Sequence, residues 1–87
     1  MLTGPLNSYT ALHWAAKGQE WINDAKEQCV IDLANTTSID SAGIAILLAW
    51  KRYANQQKKT LFLQNPSEKL RSMLHLYGLA PVFPSSL

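Results

Sequence analysis

Asp40-Ser41-Ala42-Gly43 is the segment whose residue types and spacing could do chemistry. A carboxylate ahead of a helix satisfies free N–H groups and complements the positive end of the helix dipole. The hydroxyl of Ser41 beside it can hydrogen-bond at a contact or accept a phosphate. The two small residues after it allow another surface to come close. Catalysis needs more than this. A Ser-His-Asp arrangement would have to use His13 or His75, and each falls inside a predicted helix, away from a loop at a sheet edge. Two distant histidines and Cys29 alone lack metal-ligand spacing, so no metal and no cofactor is expected. The loop from Asp32 to Gly43 contains neither G-x-G-x-x-G nor G-x-x-x-x-G-K-[ST], and Asp40 would repel a phosphate there. The chain reads as a non-enzyme.

What must position that segment follows from patterning. The 87 residues suffice for a single domain, residues 1–87, and 47% hydrophobic against 16% charged is too apolar for a disordered chain. A net charge of +2 is too small to imply nucleic-acid binding by itself, and none is expected. It conceals an asymmetry: residues 1–43 hold two Lys against five acids, giving −3, and residues 44–87 hold six Lys/Arg against Glu68, giving +5. No basic n-region with an apolar h-region opens the chain. Its longest apolar run, Ala42–Trp50, is too short for a bilayer, which needs about 20 residues. A lone cysteine fits a reducing, cytoplasmic setting.

The segments alternate in type. Met1–Leu6 reads as a short strand, and Asn7 or Ser8 caps a helix starting near Tyr9 with Ala11, Trp14, Ala15, Gly18, Ile22 and Ala25 on its apolar face. Cys29–Leu33 reads as a buried central strand, and Ala34–Ile39 as a turn. A second helix runs from Ser41 to about Gln57 behind Asp40, with Lys58 and Lys59 at its negative end. Thr60–Leu63 is a third strand. Asn65-Pro66-Ser67-Glu68 opens a third helix with Asn65 as cap, which ends at Gly78, and Val82-Phe83 adds a last strand. This order means an α/β domain with parallel strand pairs.

The second helix has two apolar stripes. Ile44, Leu47, Leu48 and Ala54 suit a sheet; Ala42, Ile46, Ala49, Trp50 and Tyr53 lie opposite. The second stripe is covered either by a neighbouring helix or by a partner protein. The reading taken here puts Ile46, Trp50 and Tyr53 outward, as anchors of a docking face. The same reading expects Trp50→Ala to weaken binding and leave the domain folded.

Val30-Ile31-Asp32-Leu33, Ile39-Asp40-Ser41-Ala42-Gly43-Ile44, Asn65-Pro66-Ser67 and Leu76-Tyr77-Gly78-Leu79, in this order and spacing, resemble the STAS domain. The resemblance covers nearly the whole chain from Leu2. It implies a mixed sheet of about four strands with helices packed mainly on one face, and action by docking on a nucleotide-hydrolysing or kinase partner. Anti-sigma factor antagonists of the family carry a D-S-S-G-like motif whose second Ser is phosphorylated. Ala42 stands at that position here and has no hydroxyl. Ser41 aligns instead with the hydroxyl of the D-T-G-G-like motif of the MlaB branch.

That branch implies a cytoplasmic subunit, held at the inner membrane through its complex, that docks on the ATPase of a phospholipid ABC transporter. The contact would comprise Asp40, Ser41, Ala42, Gly43, Ile46, Trp50 and Tyr53. Phosphorylation of Ser41 would set about two negative charges beside Asp40 and disturb docking. An anti-sigma kinase is the alternative partner. A small-ligand sensor using the strand–helix crevice ranks last, since no polar pocket is evident from sequence. Family members usually have one more strand before Leu2–Leu6. Without it a sheet edge is exposed, through which a homodimer could form.

Overall fold

The computed structural model describes residues 2–79. Seven elements follow in the order β1 (Gly4–Leu6), α1 (Ala11–Asp24), β2 (Gln28–Asp32), β3 (Thr36–Ile39), α2 (Ser41–Gln56), β4 (Thr60–Gln64) and α3 (Glu68–Leu76). The α/β reading holds, with three helices and four strands. The strands form two parallel ladders, β1 with β3 and β2 with β4. The expected strand at Val82-Phe83 lies outside the described residues.

The fourth strand comes from the segment read as a turn. Thr36 N–H bonds to the Leu33 carbonyl at 3.1 Å, which bends the chain after β2, and Thr36–Ile39 then pairs with β1. Residues 28–39 thus serve both ladders, the first half against β4 and the second against β1. Thr-Thr-Ser-Ile suits this, because β-branched residues pack well on a pleated surface.

Nor is β2 buried on both faces. Cys29, Ile31 and Leu33 point into the core, but Val30 is 51% exposed opposite the half-buried Phe62 of β4. The core lies on the other face. There Leu47, Ile22, Leu61 and Leu6 are fully enclosed under the helices.

Both remaining helix starts differ from the sequence reading in detail. Asn7 Oδ1 accepts from the backbone N–H of Tyr9 and Thr10, so Asn7 orders a turn, and α1 begins one turn later behind Thr10. Before α3 the cap is Ser67, whose Oγ accepts from Leu70 N–H at 3.1 Å. Asn65 adopts φ 55° instead and donates from Nδ2 to Asp32 Oδ1 at 3.1 Å.

The two lysines after α2 also part company. Lys59 is not a solvated cation of its own helix: its Nζ donates to the carbonyls of Ile22 (2.7 Å) and Asn23 (2.9 Å), at the negative end of α1. Lys58 holds φ 59°, a left-handed conformation that costs an L-residue about 1–2 kcal/mol. Lys58→Gly is therefore expected to stabilise the domain by about 0.5–1 kcal/mol after the greater unfolded-state entropy of glycine is subtracted. A melting temperature raised by roughly 2–8 °C in a circular-dichroism scan would show it, and an unchanged or lower value would refute it.

Candidate docking site

β1 and β3 are parallel neighbours; β3 runs directly into α2 and β1 leads into α1 through the turn at residues 7–10, so both helices follow from the same end of that ladder. The two chain segments meet there. Asp40 N–H donates to the Leu6 carbonyl at 3.4 Å, and Gly43 packs against that carbonyl and the Ile39 side chain. Asp40 caps α2 as read from sequence, its Oδ1 accepting from Gly43 N–H at 3.1 Å. Ser41 follows as the first helical residue, exposed, with no partner for its hydroxyl among the described residues. Ala42 is half-buried.

The other predicted contact residues are placed differently. Gly43 is buried, and its lack of a side chain serves the approach of α2 to β1 and β3, not that of a partner. Trp50 is 1% exposed and Ile46 is buried. The outward stripe is a helix–helix seam: α1 lies over it, and Gly18 presents bare backbone where the Trp50 indole sits. Trp50 Nε1 donates to the Ala15 carbonyl at 3.4 Å, and its ring meets Trp21 edge-on with centroids 6.3 Å apart. Trp14 stands 6.1 Å beyond Trp21. Tyr53, half-buried, donates its hydroxyl to Asn23 Oδ1 at 2.7 Å. The small residue at position 18 carried this signal in the sequence, since a glycine on an apolar helix face leaves room for one large ring.

Two residues missed from sequence complete the exposed corner. Tyr9 is 95% and Leu12 89% exposed, both at the start of α1 and so at the same end as Ser41. Leu12 could have been found, because it falls outside the apolar stripe of α1. A leucine and a tyrosine left in water by so small a core are the apolar part of this surface.

The remaining chemistry-bearing groups do not converge. His13 meets the Trp14 ring edge-on at 4.6 Å, His75 lies exposed in the last turn of α3, and neither bonds to a serine or aspartate among the described residues. No three metal-ligating side chains come together among the described residues. Burial pushes the Cys29 thiol pKa up, opposed by nearby Lys59, so the nucleophilic thiolate is disfavoured. No helix among them is long and apolar enough to cross a membrane.

Against known proteins, the family model described as "Mlab, STAS domain" matches residues 1–84. No curated protein matches. Among solved structures, a candidate anti-sigma factor antagonist from Thermotoga maritima superposes with a TM-score of 0.83 at 21% identity, covering 98% of this chain and 74% of that one. The anti-sigma factor antagonist SpoIIAA in its unphosphorylated form gives 0.75 at 23% identity, with 99% and 76% covered. A sulfate transporter family protein from Wolinella succinogenes gives 0.77 at 17% identity, with 95% and 67% covered.

Proposed function

The chain belongs to the STAS domain family, and from that premise we propose that it is a non-enzymatic accessory subunit that docks on the ATPase of a phospholipid ABC transporter and supports its assembly and activity. It would work on the cytoplasmic side of the membrane, held there by the complex. The MlaB type of the matching family model favours this partner. The observation that carries the docking site is that the exposed Ser41 begins α2 at the same end of the β1–β3 ladder as exposed Tyr9 and Leu12. Aromatic and aliphatic anchors beside a hydrogen-bonding group are what a protein interface needs. An anti-sigma kinase is the second reading, favoured by the fold shared with anti-sigma factor antagonists. Ala42 speaks against a phosphorylation switch of their kind, so any such switch would act at Ser41.

Affinity purification of the tagged chain from its own cells tests this. Recovery of an ABC-type ATPase with its permease supports the proposal, and recovery of a GHKL-type kinase in their place overturns it. Tyr9→Ala combined with Leu12→Ala is expected to weaken binding to the recovered ATPase by about 30-fold or more, as loss of a ~2 kcal/mol interface anchor does. Thermal stability should not change, since both side chains are already in water. Ser41→Glu should weaken binding in the same assay.

A further inference from the structure

Strand β2 has an unpaired edge. In its parallel ladder with β4 the odd-numbered residues face the neighbour: the Glu27 carbonyl accepts from Thr60 N–H at 2.9 Å, and Leu33 N–H donates to the Gln64 carbonyl at 2.8 Å. In such a strand the N–H and C=O of one residue point to the same side, so those of Gln28, Val30 and Asp32 turn to the other edge. No strand pairs with β2 there among the described residues. An open hollow of about 250 Å³ runs beside it, lined by Leu2, Trp21, Val30, Ile31 and Asp32. Proteins usually blunt an exposed edge with proline, lysine or a bulge. β1 has such protection, in Pro5 and a register shift between Gly4 and Pro5. β2 pairs in unbroken register, and the side chains it turns away from the core are Gln28, Val30 and Asp32.

Those three side chains decide what the edge can take. A second copy of β2, turned antiparallel about Val30 by a two-fold axis normal to the sheet, meets every one of them with a complement. Val30 faces the partner's Val30, and the Gln28 amide, a donor, faces the carboxylate of the partner's Asp32. Asp32 Oδ1 already accepts from Ala34 N–H and Asn65 Nδ2, which holds the carboxylate in place and leaves Oδ2 for the partner. Within each protomer the exposed Val30 stands opposite the half-buried Phe62. The pairing therefore aligns Phe62, Val30 and their two copies in one apolar row across a four-stranded sheet, flanked by polar pairs. A parallel copy in register would instead set Asp32 against Asp32.

We infer that the chain forms a homodimer through antiparallel pairing of β2 with β2, centred on Val30. A five-residue strand from each protomer buries less than the roughly 800 Å² per partner of a standard interface. The dimer is accordingly weak, with a dissociation constant on the order of 10–100 μM. The inference is independent of the docking reading, since Ser41, Tyr9 and Leu12 lie outside β2.

Sedimentation velocity of the full chain, from well below to well above that concentration, tests it. A shift from monomer to dimer is expected, with the amide protons of Gln28, Val30 and Asp32 protected from exchange in the dimer only. Val30→Lys sets like charges opposite each other at the axis and should raise the dissociation constant about tenfold or more. The melting temperature of the monomer should not change, because position 30 is on the open face of the sheet. The flanking pair gives opposite signs: Gln28→Lys, facing the partner's Asp32, should tighten the dimer several-fold, and Gln28→Glu should weaken it by a similar factor. A chain that stays monomeric throughout overturns the inference. So does a dimer indifferent to Val30→Lys and to both changes at Gln28, or one lost with Tyr9→Ala and Leu12→Ala, which would place the contact at the docking corner. Loss of ATPase binding by Val30→Lys in a chain that never dimerises would give the edge to a strand of the partner protein, and overturns the homodimer likewise.

Discussion

Trp50→Ala is expected to lower the thermal transition of the domain by at least about 12 °C or to abolish it as a cooperative event. Replacing a buried Trp by Ala costs roughly 3–5 kcal/mol, and the total stability of a domain this size is of order 4–13 kcal/mol. At about 4–8 °C per kcal/mol, even the lower loss is large. The position is among the least forgiving in the molecule. Trp50 is the largest fully buried side chain among the described residues, fills the space opened by Gly18, and joins α1 to α2 through the Ala15 carbonyl and the Trp21 ring. Truncation leaves a cavity between the two helices. Trp50→Phe should lose much less, since most of the buried area stays. Far-ultraviolet circular dichroism against temperature separates the outcomes. A Trp50→Ala protein that melts like the parent would return the ring to the surface and restore it as a partner anchor.

That reversal marks where sequence patterning stops being informative. The order of the three helices and of β1, β2 and β4, the Asp40 cap and the α/β class follow from local chemistry: turn residues, cap residues and apolar spacing each act over a few positions. The second stripe of α2 was equally visible, but what covers it is decided by α1, some 30 residues away, and periodicity within one helix is silent on that. The same holds for Lys59. Its charge at the end of α2 suggests a local role, yet its Nζ reaches the C-terminus of α1 because β4 begins beside that end. Thr36–Ile39 read as a turn because Asn, Thr and Ser favour turns, and only pairing with β1 makes it a strand. At the docking corner, Asp40 and Ser41 were legible because capping is local. Leu12 was legible as a residue off the apolar stripe of α1, whereas the exposure of Tyr9 is a property of the assembled surface.

Gly43→Ala is the substitution on which fold and site meet, and it is expected to destabilise the domain by about 1–3 kcal/mol and weaken partner binding as well. Two effects oppose each other here. Within a helix, alanine is favoured over glycine by about 1 kcal/mol, so a free helix would gain. In the folded domain, a Cβ at position 43 would stand well inside normal contact distance of the Leu6 carbonyl oxygen and close to Ile39 Cγ1. The carbonyl belongs to β1 backbone and cannot turn aside as a flexible side chain would. Helix α2 must therefore move off β1, which strains the Asp40 N–H to Leu6 carbonyl bond and the cap made by Asp40 on Gly43. Overpacking of this kind costs roughly 1–3 kcal/mol and can cost more, and backbone that cannot yield puts Gly43 toward the upper end. Even after the propensity gain the sign remains destabilising. Because Ser41 lies on the same turn, the shift also moves its hydroxyl relative to Tyr9 and Leu12. Ala45→Gly, two residues further and on the exposed face of α2, supplies the comparison: it loses about 1 kcal/mol of helix propensity without moving α2. Urea unfolding of the two variants beside the parent, with binding to the ATPase measured below the transition, gives both readouts. Gly43→Ala should lose affinity where Ala45→Gly, though also less stable, does so to a smaller degree. Equal stability of Gly43→Ala and the parent would mean that α2 is free to stand away from β1, and the geometry of the docking corner would then have to be set by something other than this contact.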